Sequence, residues 1–456
     1  MPLSIVILAA GKGSRMKSNK PKVLHHLAGI PMLQHVVNTA RMLQPEQVIV
    51  VIGHEAEQVE LAMQGQDLIF VEQTEQLGTG HAVSQCCEQI EKGNDVLVLY
   101  GDVPLIKPST LNQLIDSEHQ KNAVCLLSFM AENPTGYGRI VRQENTDVTA
   151  IVEEKDASDD IRLIHESNSG IMYLKGQELS ALLDALDNDN AQQEYYLTDV
   201  VKHAVTNKLS VNAVICQDET EVLGVNNQQQ LAQIESYYRQ QQSKLLMLQG
   251  VKLVDPDRID IRGNLKVGMD VTIDINCIFE GDVEIGDDVS IGPNCVIKNS
   301  TVASGTRVLA MCIIEDSVIG KNNEIGPYAR ARPGTVTLEK AKLGNFVEVK
   351  KSLIGEGSKV NHLTYIGDTE MGANVNVGAG TITCNYDGAN KHKTLIGDNV
   401  FIGSGTQLVA PVHVADNSTI GAGSAITKDT QAGKLTFSRA KQVSISGWIR
   451  PTKKQI

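Results

Sequence analysis

Residues 283–297 read Val-Glu-Ile-Gly-Asp-Asp-Val-Ser-Ile-Gly-Pro-Asn-Cys-Val-Ile, and they set Ile285, Ile291 and Ile297 six positions apart. A helix turns about every 3.6 residues and a strand alternates every two, so neither keeps a period of six on one face. A solenoid does, because six residues make one short strand and a turn, and three such steps close a triangular coil. The stretch therefore predicts a coiled parallel sheet with the isoleucines inside.

The period extends over most of the second half of the chain. Small aliphatic residues occupy the repeated position, and glycine often follows, which we interpret as the corner of the coil. The series is Val267, Ile273, Phe279, Ile285, Ile291 and Ile297; Ile319, Ile325, Ala331, Thr337, Leu343 and Val349; Ile354, Val360 and Ile366; Met371, Val377 and Thr383; and Ile396, Ile402, Leu408, Val414, Ile420 and Ile426. The pattern resembles the left-handed parallel β-helix of the hexapeptide-repeat family. The break between Thr383 and Ile396 predicts a loop that leaves the coil, where function tends to concentrate.

The first ~225 residues alternate apolar runs with amphipathic stretches, which is typical of an α/β domain with a mostly parallel sheet and helices on both faces. Ligands of such sheets bind at the carboxyl ends of the strands. We predict strands at 4–9, 47–52 and 95–100 and helices at 34–43 and 81–90.

A long helix is predicted to join the two halves. Its apolar residues are Leu231, Ile234, Tyr238, Leu245, Leu246 and Leu248. The glutamine runs at 228–230 and 240–242 also fit a low-complexity segment, but the apolar stripe continues through them. Gly250 marks its end. The expected domains are 1–225, a linker helix at 226–250, and 251–456 with a C-terminal tail.

Composition excludes several classes of protein. The chain has 456 residues, a length typical of two or three domains, and a formal net charge of −13, which disfavours sequence-independent nucleic-acid binding. None of the eight cysteines forms a CxxC pair, so we expect reduced thiols rather than a zinc ribbon. Residues 1–10 lack the basic start of a signal peptide. No apolar run approaches the ~18 residues of a membrane span.

The loop after the first strand reads Leu8-Ala-Ala-Gly-Lys-Gly-Ser-Arg-Met16, and Lys22 follows shortly. Glycines let backbone amides approach phosphate oxygens, and Lys12, Arg15 and Lys22 add positive charge. The spacing matches neither a Walker A loop nor a dinucleotide fingerprint. A tight turn with a solvated cationic face is the alternative, which the three cations together disfavour.

Two further segments follow predicted strands. Residues 73–82 (Gln-Thr-Glu-Gln-Leu-Gly-Thr-Gly-His-Ala) offer backbone and hydroxyl donors before a helix. Asp102 lies at the tip of the strand that ends in Tyr100, a common position for a Mg²⁺ ligand. The alternative is a turn or helix-capping aspartate.

The repeat region carries many cations and polar groups. Arg332 and Lys350 lie three hexads apart, so they are expected to stack on one edge and form a phosphate site. His362 lies 12 residues beyond Lys350. A lone histidine is usually a surface or satisfied core residue, although an imidazole can also act as a general base.

The N-terminal motifs resemble the sugar-1-phosphate nucleotidylyltransferase family. The resemblance implies that the 8–16 loop holds a triphosphate, that Gln73, Gly78 and Thr79 read uracil, and that Asp102 and Asn226 hold Mg²⁺. Ser169 stands where threonine is expected. The implied UTP- and UDP-sugar-binding residues are Leu8, Ala9, Ala10, Gly11, Gly13, Arg15, Lys22, Gln73, Gly78, Thr79, Tyr100, Gly101, Asp102, Gly138, Glu153, Asn168 and Asn226.

With the repeat region included, nearly the whole chain resembles a bacterial family of bifunctional N-acetylglucosamine-1-phosphate uridylyltransferases and glucosamine-1-phosphate N-acetyltransferases. That resemblance implies a cytoplasmic homotrimer that makes UDP-N-acetylglucosamine for peptidoglycan and lipopolysaccharide, with sites between neighbouring subunits. It implies no nucleic-acid or membrane partner. His362 is then the catalytic base. The implied acceptor-binding residues are Arg332, Lys350, Tyr365, Asn376 and Lys391, and the acetyl-CoA-binding residues are Ala379, Asn385, Tyr386, Ser404, Ala422 and Arg439.

Two other functions fit parts of the pattern. One is a nucleotidylyltransferase whose β-helix only oligomerises and receives regulators, as in enzymes of ADP-glucose synthesis. The other is a regulatory subunit without catalysis, similar to a translation factor. The first leaves His362, Asn385, Tyr386 and Lys391 without a role, and the second leaves Arg15, Lys22, Asp102 and Asn226 without one. The tail with Lys441, Trp448, Arg450, Lys453 and Lys454 is either solvated or packed on a neighbour's acetyl-CoA site.

Overall fold

A computed structural model describes residues 2–116, 122–143 and 147–451. The chain divides into two compact units, residues 1–238 and 239–456. Among the helices of the described residues, none combines the length and the apolar character that a membrane crossing requires.

The first unit is built around one twisted sheet. Its main path runs β11-β7-β10-β6-β1-β4-β5, and only β10 is antiparallel to its neighbours on that path, so the predicted mostly parallel sheet is confirmed. The strands of this sheet are β1 (Leu3–Leu8), β4 (Gln47–Ile52), β5 (Ile69–Glu72), β6 (Asp95–Tyr100), β7 (Val124–Met130), β8 (Arg139–Gln143), β9 (Asp147–Val152), β10 (Glu166–Leu174) and β11 (Val211–Cys216). The short strands β2 (His26–Leu27) and β3 (Ile30–Pro31) pair with each other in a separate sheet.

Helices cover both faces of this sheet. Alternate residues of β1 contribute to different apolar clusters: Ile5 and Ile7 pack with α1 and α4, whereas Val6 packs with α3, α6 and α7. The helices are α1 (Met32–Met42), α2 (Ala56–Ala62), α3 (Thr79–Ser84), α4 (Pro108–Leu114), α5 (Asp159–Arg162), α6 (Gly176–Asp184), α7 (Asp199–Thr206) and α8 (Gln228–Leu248).

Two predicted helices have different bounds from those expected. Helix α1 begins directly after Pro31, two residues before the expected start, because proline is well suited to precede the first turn. Helix α3 ends at Ser84, whereas we expected a helix through Ile90; residues 85–89 are turns.

The long helix α8 is confirmed, but its apolar stripe is not continuous. Ile234 and Leu246 are buried, whereas Leu245 and Leu248 are exposed. The helix ends near Gly250, whose φ of 94° lies in the left-handed region that glycine tolerates. The division between the two units falls within this helix, after Tyr238.

The second unit is a parallel β-helix with three ladders of strands. Each ladder is one face of the coil, and long strands such as β25 and β27 bend around a corner and join two faces. The strands are β12 (Lys252–Leu253), β13 (Ile259–Val267), β14 (Thr272–Ile273), β15 (Cys277–Ile285), β16 (Ser290–Ile291), β17 (Val296–Lys298), β18 (Thr301–Val302), β19 (Arg307–Val308), β20 (Ile313–Glu315), β21 (Val318–Ile319), β22 (Glu324–Ile325), β23 (Arg330–Ala331), β24 (Val336–Thr337), β25 (Lys342–Lys350), β26 (Leu353–Ile354), β27 (Lys359–Gly367), β28 (Thr369–Met371), β29 (Asn376–Val377), β30 (Ile382–Cys384), β31 (Thr394–Ile396), β32 (Phe401–Ile402), β33 (Gln407–Val409), β34 (Val412–Val414), β35 (Thr419–Ile420), β36 (Ala425–Ile426) and β37 (Leu435–Thr436).

The six-residue positions form the interior of this coil. Every residue of the predicted series is buried except Val267, which is partly buried and packs against the same core. Thr337 and Thr383 are the polar members, and each is buried with its hydroxyl hydrogen-bonded. The predicted break is also confirmed, since the chain between β30 and β31 leaves the ladder.

Not all of the glycines that follow the aliphatic residues serve the turn that we expected: Gly326 has a left-handed φ of 96°, but Gly286 does not. A Cβ on Gly286 would lie 2.6 Å from the amide nitrogen of Ser304 on the next coil, so close approach of coils requires glycine there. The left-handed turn instead falls two residues later, at Asp288, with a φ of 55°.

Candidate active sites

The first candidate site is a cleft of about 290 Å³ at the carboxyl ends of β1 and β6. Ten of its lining residues were predicted from the sequence: Leu8, Ala9, Ala10, Gly11, Lys22, Gln73, Gly78, Thr79, Tyr100 and Asp102. Gln76 and Glu194 also line it; Gln76 lies within the quoted 73–82 segment, whereas no motif marks Glu194.

The loop after β1 folds back on Lys22. Gly13 has a φ of 59°, and a Cβ on it would lie 2.8 Å from the Cβ of Lys22. Position 13 therefore requires glycine, both for its left-handed backbone and because a side chain would clash with Lys22. The short 3₁₀ turn Ser14–Met16 follows and carries Arg15 outward.

Four predicted residues meet in one polar cluster. The Lys22 ammonium donates to the Asp102 carboxylate and, at 3.3 Å, to Oδ1 of Asn226, and Arg15 donates to the same Oδ1 at 2.9 Å. The amide of Val225 donates to the Asp102 carbonyl at 2.9 Å, which holds the segment before Asn226 against the tip of β6. Lys22 and Asp102 are mostly buried.

This cluster fits a divalent cation. Asp102 and Asn226 each direct an oxygen at the same ammonium, so the two predicted ligands converge on one point. Carboxylate and amide oxygens suit Mg²⁺, which commonly takes only one or two protein ligands beside phosphates and water. Among the described residues, no group of three or more histidine, cysteine, aspartate or glutamate side chains forms a metal cluster.

The residues predicted to bind uracil also make hydrogen bonds within the protein. Gln73 is buried, and its Nε2 donates to the carbonyl of Gly78 and to Nδ1 of His81, both at 3.0 Å. The Thr79 hydroxyl accepts from the amide of Leu197 at 3.1 Å. Gln73 and Thr79 therefore shape the cleft wall in addition to facing it.

The predicted sugar-binding residues lie beside the cleft rather than in its lining. The amide of Asn168 donates to the Gly138 carbonyl at 2.8 Å, and Glu153 accepts from the Thr198 hydroxyl at 3.1 Å. Burial raises the pKa of Glu153 above its ordinary value. Glu153 lines a second depression of about 380 Å³ whose other acidic residues are Asp156, Asp187, Asp189 and Asp199.

Tyr100 connects the two regions. Its pKa is raised by burial and, further, by the carboxylates of Glu153 and Asp102, so it interacts with both subsites. Ser169, where threonine was expected, donates to the Leu127 carbonyl at 2.6 Å and accepts from the amide of Ile171. A hydroxyl is therefore needed there, and serine supplies it.

The second candidate site lies on the β-helix. Arg332 and Lys350 occupy equivalent positions on successive coils, as predicted, because Arg330 pairs with Glu348 and Ala331 with Val349. Lys391, from the loop that leaves the coil, lies beside Lys350. Its ammonium lowers the pKa of Lys350, and Arg332 contributes in the same direction. Three cations therefore converge at one corner.

The inserted loop is tied to this corner. Asn385 is buried and donates to the Asp368 carboxylate, and Tyr386 pairs with Lys391 across a small antiparallel bridge. The Tyr386 hydroxyl donates to the Gly388 carbonyl at 2.6 Å, while its ring is largely exposed. Asp368 had no predicted role.

A column of residues runs along another corner. Backbone amides of each coil donate to carbonyls of the coil before it: Gly380 to the His362 carbonyl, Gly405 to that of Ala379, and Gly423 to that of Ser404. The Arg439 guanidinium donates to the Ala422 carbonyl at 3.1 Å. The predicted base and four of the six predicted acetyl-CoA residues therefore lie in one column along this corner: His362, Ala379, Ser404, Ala422 and Arg439.

His362 is exposed, and its Nδ1 lies 3.0 Å from Oδ1 of Asn345 on the coil below. Glu348 accepts a 2.6 Å hydrogen bond from Arg332. Asn345 is a residue that sequence reasoning missed; its place one coil before His362 was the available signal.

Two predicted groups are not joined to these clusters. Asn376 lies on the adjoining face, paired with Lys359 and Phe401, and no contact ties it to the three cations. In the tail, Trp448 and Arg450 are exposed and Lys441 is exposed as well. Lys453 and Lys454 lie outside the described residues.

Comparisons with protein families match both units. Residues 5–159 match the MobA-like NTP transferase domain, residues 261–345 the GMPPB C-terminal domain, and residues 393–428 the bacterial transferase hexapeptide (six repeats). A nucleotidyltransferase domain is therefore followed by a hexapeptide-repeat domain, which confirms the predicted fold class.

Curated relatives match the chain over almost its whole length. Proteins described as "Bifunctional protein GlmU" from Marinobacter nauticus, Cellvibrio japonicus and Chromobacterium violaceum are 53%, 54% and 54% identical to it. Each alignment covers 99% of this chain and 99%, 100% and 99% of the relative, respectively. The chain therefore belongs to the GlmU family of bifunctional enzymes, in which a uridylyltransferase domain precedes an acetyltransferase domain.

Proposed function

We propose that the chain catalyses two successive transfers that end in UDP-N-acetylglucosamine. The β-helix domain transfers the acetyl group of acetyl-CoA to the amine of glucosamine-1-phosphate. The α/β domain then transfers the uridylyl group of UTP to the resulting N-acetylglucosamine-1-phosphate and releases pyrophosphate. Such a product serves the synthesis of peptidoglycan and lipopolysaccharide.

The observation that carries the first half of the proposal is the cluster of Arg15, Lys22, Asp102 and Asn226 at the cleft. In uridylyl transfer, a phosphate oxygen of the sugar attacks the α-phosphorus of UTP as the bond to pyrophosphate breaks. The nucleophile is already an anion, so no protein base is needed. Catalysis then consists of positioning and charge neutralisation, which Gly-rich backbone and cations supply.

Mg²⁺ is the proposed cofactor of this domain, with Asp102 and Asn226 as its protein ligands. When bound, the ion would neutralise charge on the phosphates. In this structure the same oxygens accept from Lys22, so Lys22 must turn from Asp102 towards a phosphate when the nucleotide and ion bind. Arg15, which lies beside Asn226, supplies a second cation to the triphosphate.

The observation that carries the second half is the column from His362 to Arg439. Its members between the two ends are Ala379, Ser404 and Ala422, whose small side chains suit a ligand that lies along the corner. We place acetyl-CoA there, with the thioester next to His362 and the exposed Arg439 near its phosphates. Asn385 and Tyr386, which the resemblance also assigns to acetyl-CoA, lie in the inserted loop at the cation corner rather than along this column.

Acetyl transfer needs a free amine. His362 removes a proton from the attacking amine, the nitrogen bonds to the thioester carbonyl carbon, and the C–S bond breaks with coenzyme A leaving as the thiolate, which takes a proton. No cysteine or serine nucleophile is required, because the acyl group arrives already activated.

The acceptor is proposed to span one face of the coil. Arg332, Lys350 and Lys391 would bind its phosphate at one corner, and His362 would meet its amine near the other. The chain turns at Leu363, and from there to Gly367, above Lys350, the extended strand covers about 13 Å, a gap that long side chains and a sugar phosphate can close. Tyr365 lies between, and Asn376 on the next coil borders the same corner as His362.

We further propose a homotrimer. An exposed apolar ridge, formed by Met311, Tyr328, Phe346 and Leu363, follows the corner next to His362. The rings of Tyr328 and Phe346 stack at 5.2 Å, and all four residues have φ between 47° and 61°, a strained region for large side chains. A second copy of the chain covering this ridge would bring a neighbouring subunit beside the proposed base.

A cytoplasmic location follows from the proposed substrates, since UTP and acetyl-CoA are intracellular metabolites. The cysteines are compatible with it. All eight are free thiols, and six of them are buried.

One experiment tests the proposal as a whole. The purified chain is incubated with glucosamine-1-phosphate, acetyl-CoA, UTP and Mg²⁺, and the products are identified by mass spectrometry. We expect UDP-N-acetylglucosamine, pyrophosphate and free coenzyme A. Uridylyl transfer without acetylation would favour the purely oligomerising β-helix, and neither activity would favour the regulatory subunit.

A further inference from the structure

We propose that Asn345 is a positioning residue for His362: its side-chain oxygen holds the Nδ1–H of the imidazole, so that Nε2 carries the lone pair that accepts the proton of the amine. This inference rests on the proposed acetyl transfer and extends it to a residue that touches the base rather than the substrates.

The first support is the register of the coil. Asn345 and His362 are paired residues on β25 and β27, and adjacent parallel strands lie about 4.8 Å apart. The 3.0 Å distance from Nδ1 to Oδ1 is therefore set by the ladder itself rather than by a flexible loop.

The second support is the chemistry of the two atoms. A carboxamide oxygen only accepts, so the nitrogen facing it must carry the hydrogen. In the neutral imidazole the other nitrogen, Nε2, then has the lone pair. The pairing selects the tautomer in which the nitrogen directed away from the protein backbone is the basic one.

The third support is the rigidity of the backbone that carries the ring. The His362 carbonyl accepts from the Thr364 hydroxyl at 2.6 Å and from the amide of Gly380 at 3.2 Å. The residue after each partner, Phe346 and Leu363, lies in the left-handed region, so both side chains leave the coil at the same point of the corner. Both the strand that carries Asn345 and the strand that carries His362 are therefore held in place, so the hydrogen bond between them orients the imidazole.

Glu348, the carboxylate on the same strand as Asn345, does not perform this role. Glu348 is engaged by Arg332 at 2.6 Å. A neutral amide orients the imidazole without adding the negative charge that would favour its protonated form. A base that must begin the reaction unprotonated benefits from that difference.

The test compares three variants in the full-length protein. Asn345→Leu keeps the size of the side chain but removes the hydrogen-bond acceptor. Asn345→Asp keeps an accepting oxygen but removes the side-chain NH₂ donor. Asn264→Leu is the matched control, because Asn264 also makes a hydrogen bond to the next coil, to Asp282 at 2.9 Å. Acetyl-transfer kcat and KM are measured for each, with uridylyl transfer and gel filtration as checks of folding and assembly.

We expect Asn345→Leu to lower acetyl-transfer kcat about 10- to 100-fold, the usual effect of removing a partner that orients a functional histidine. The KM for both substrates should stay near the wild-type value. Asn345→Asp should restore most of kcat at alkaline pH, where the imidazole is unprotonated despite the added negative charge. Asn264→Leu should be unaffected. Normal kcat in Asn345→Leu, or an Asn345→Asp variant as slow as Asn345→Leu at alkaline pH, would overturn the inference.

Failure of the underlying function gives a different result. If the wild-type protein shows no acetyl transfer, or if His362→Ala is as fast as wild type, the proposed reaction or its base is wrong. If both behave as proposed and only Asn345→Leu is unaffected, the reaction stands and the role of Asn345 is wrong. Should Asn345→Leu fail to assemble, Asn345→Ala replaces it with the same expectations.

Discussion

The amide of Gly380 donates a 3.2 Å hydrogen bond to the carbonyl of His362, which sets Ala379 directly above the histidine on the next coil. Because Ala379 carries only a methyl group, no bulky side chain separates His362 from Ser404 along this corner. This stacking places the proposed base at the end of the column of residues proposed to bind acetyl-CoA, although these residues are far apart in sequence.

The apolar ridge gives the first prediction. Phe346→Asp should prevent assembly, because a charge would have to be buried against the neighbouring copy. Analytical ultracentrifugation should show monomers, and acetyl transfer should fall while uridylyl transfer is retained. Met269→Asp, at a residue that is similarly exposed but outside the ridge, is the control. A trimeric and fully active Phe346→Asp protein would rule out the ridge as the interface.

The two activities should be separable. A fragment ending at Gly250 should keep uridylyl transfer, and a fragment starting at Val251 should keep acetyl transfer and remain trimeric, because each site is built within its own compact unit. Activity assays and gel filtration of both fragments check this. An active monomeric C-terminal fragment would contradict a site that neighbouring subunits share.

Asp102→Ala should abolish uridylyl transfer and leave acetyl transfer intact, because the proposed Mg²⁺ ligand serves only the first site. Both rates are measured on the same preparation, so the acetyl-transfer rate reports on folding. EDTA should have the same selective effect on the wild-type protein. Equal inhibition of both reactions by EDTA would show that the metal assignment is wrong.

The cation corner predicts a pH effect on acceptor binding. The Lys391 ammonium lowers the pKa of Lys350, so Lys350 loses its charge at a lower pH than an ordinary lysine. The KM for glucosamine-1-phosphate should therefore rise as the pH increases through that lowered pKa. In Lys391→Met the acceptor should bind more weakly at neutral pH, but the alkaline rise of KM should move to higher pH.

That shift is measured from the pH dependence of KM in the two proteins. Lys393→Met is the matched control, because Lys393 lies in the same loop but pairs with Glu370. An alkaline rise at the same pH in wild type and Lys391→Met would show that Lys391 does not control the charge of Lys350.

Sequence periodicity predicted the β-helix well because one physical rule repeats in every coil. Most six-residue positions hold an aliphatic side chain that fills the same prism, so a departure at one position, such as Thr337, is outweighed by its neighbours. The glycine after Ile285 was interpreted wrongly, because both close approach and a left-handed turn call for glycine and the sequence does not distinguish them. Only the coordinates show the next coil against Gly286 and the turn at Asp288.

The candidate sites were predictable where a motif is local. The 8–16 loop and the tip of β6 are short segments, and the structure brings them together in one cleft. Three residues were missed: Glu194, Asp368 and Asn345. Each is far in sequence from the rest of its site, and only the register of the strands or the path of a loop brings it there. The exposed ends of the α8 stripe, Leu245 and Leu248, show that an apolar periodicity predicts a helix more surely than it predicts burial.

The measurement that tests the central claim most directly is the product analysis of His362→Ala. With glucosamine-1-phosphate, acetyl-CoA, UTP and Mg²⁺, the variant should acetylate about 10²- to 10⁴-fold more slowly than wild type, the usual contribution of a positioned base. When supplied instead with N-acetylglucosamine-1-phosphate, it should form UDP-N-acetylglucosamine at the wild-type rate. An acetylation rate close to that of wild type would contradict the account, because the column from His362 to Arg439 would then contain no base.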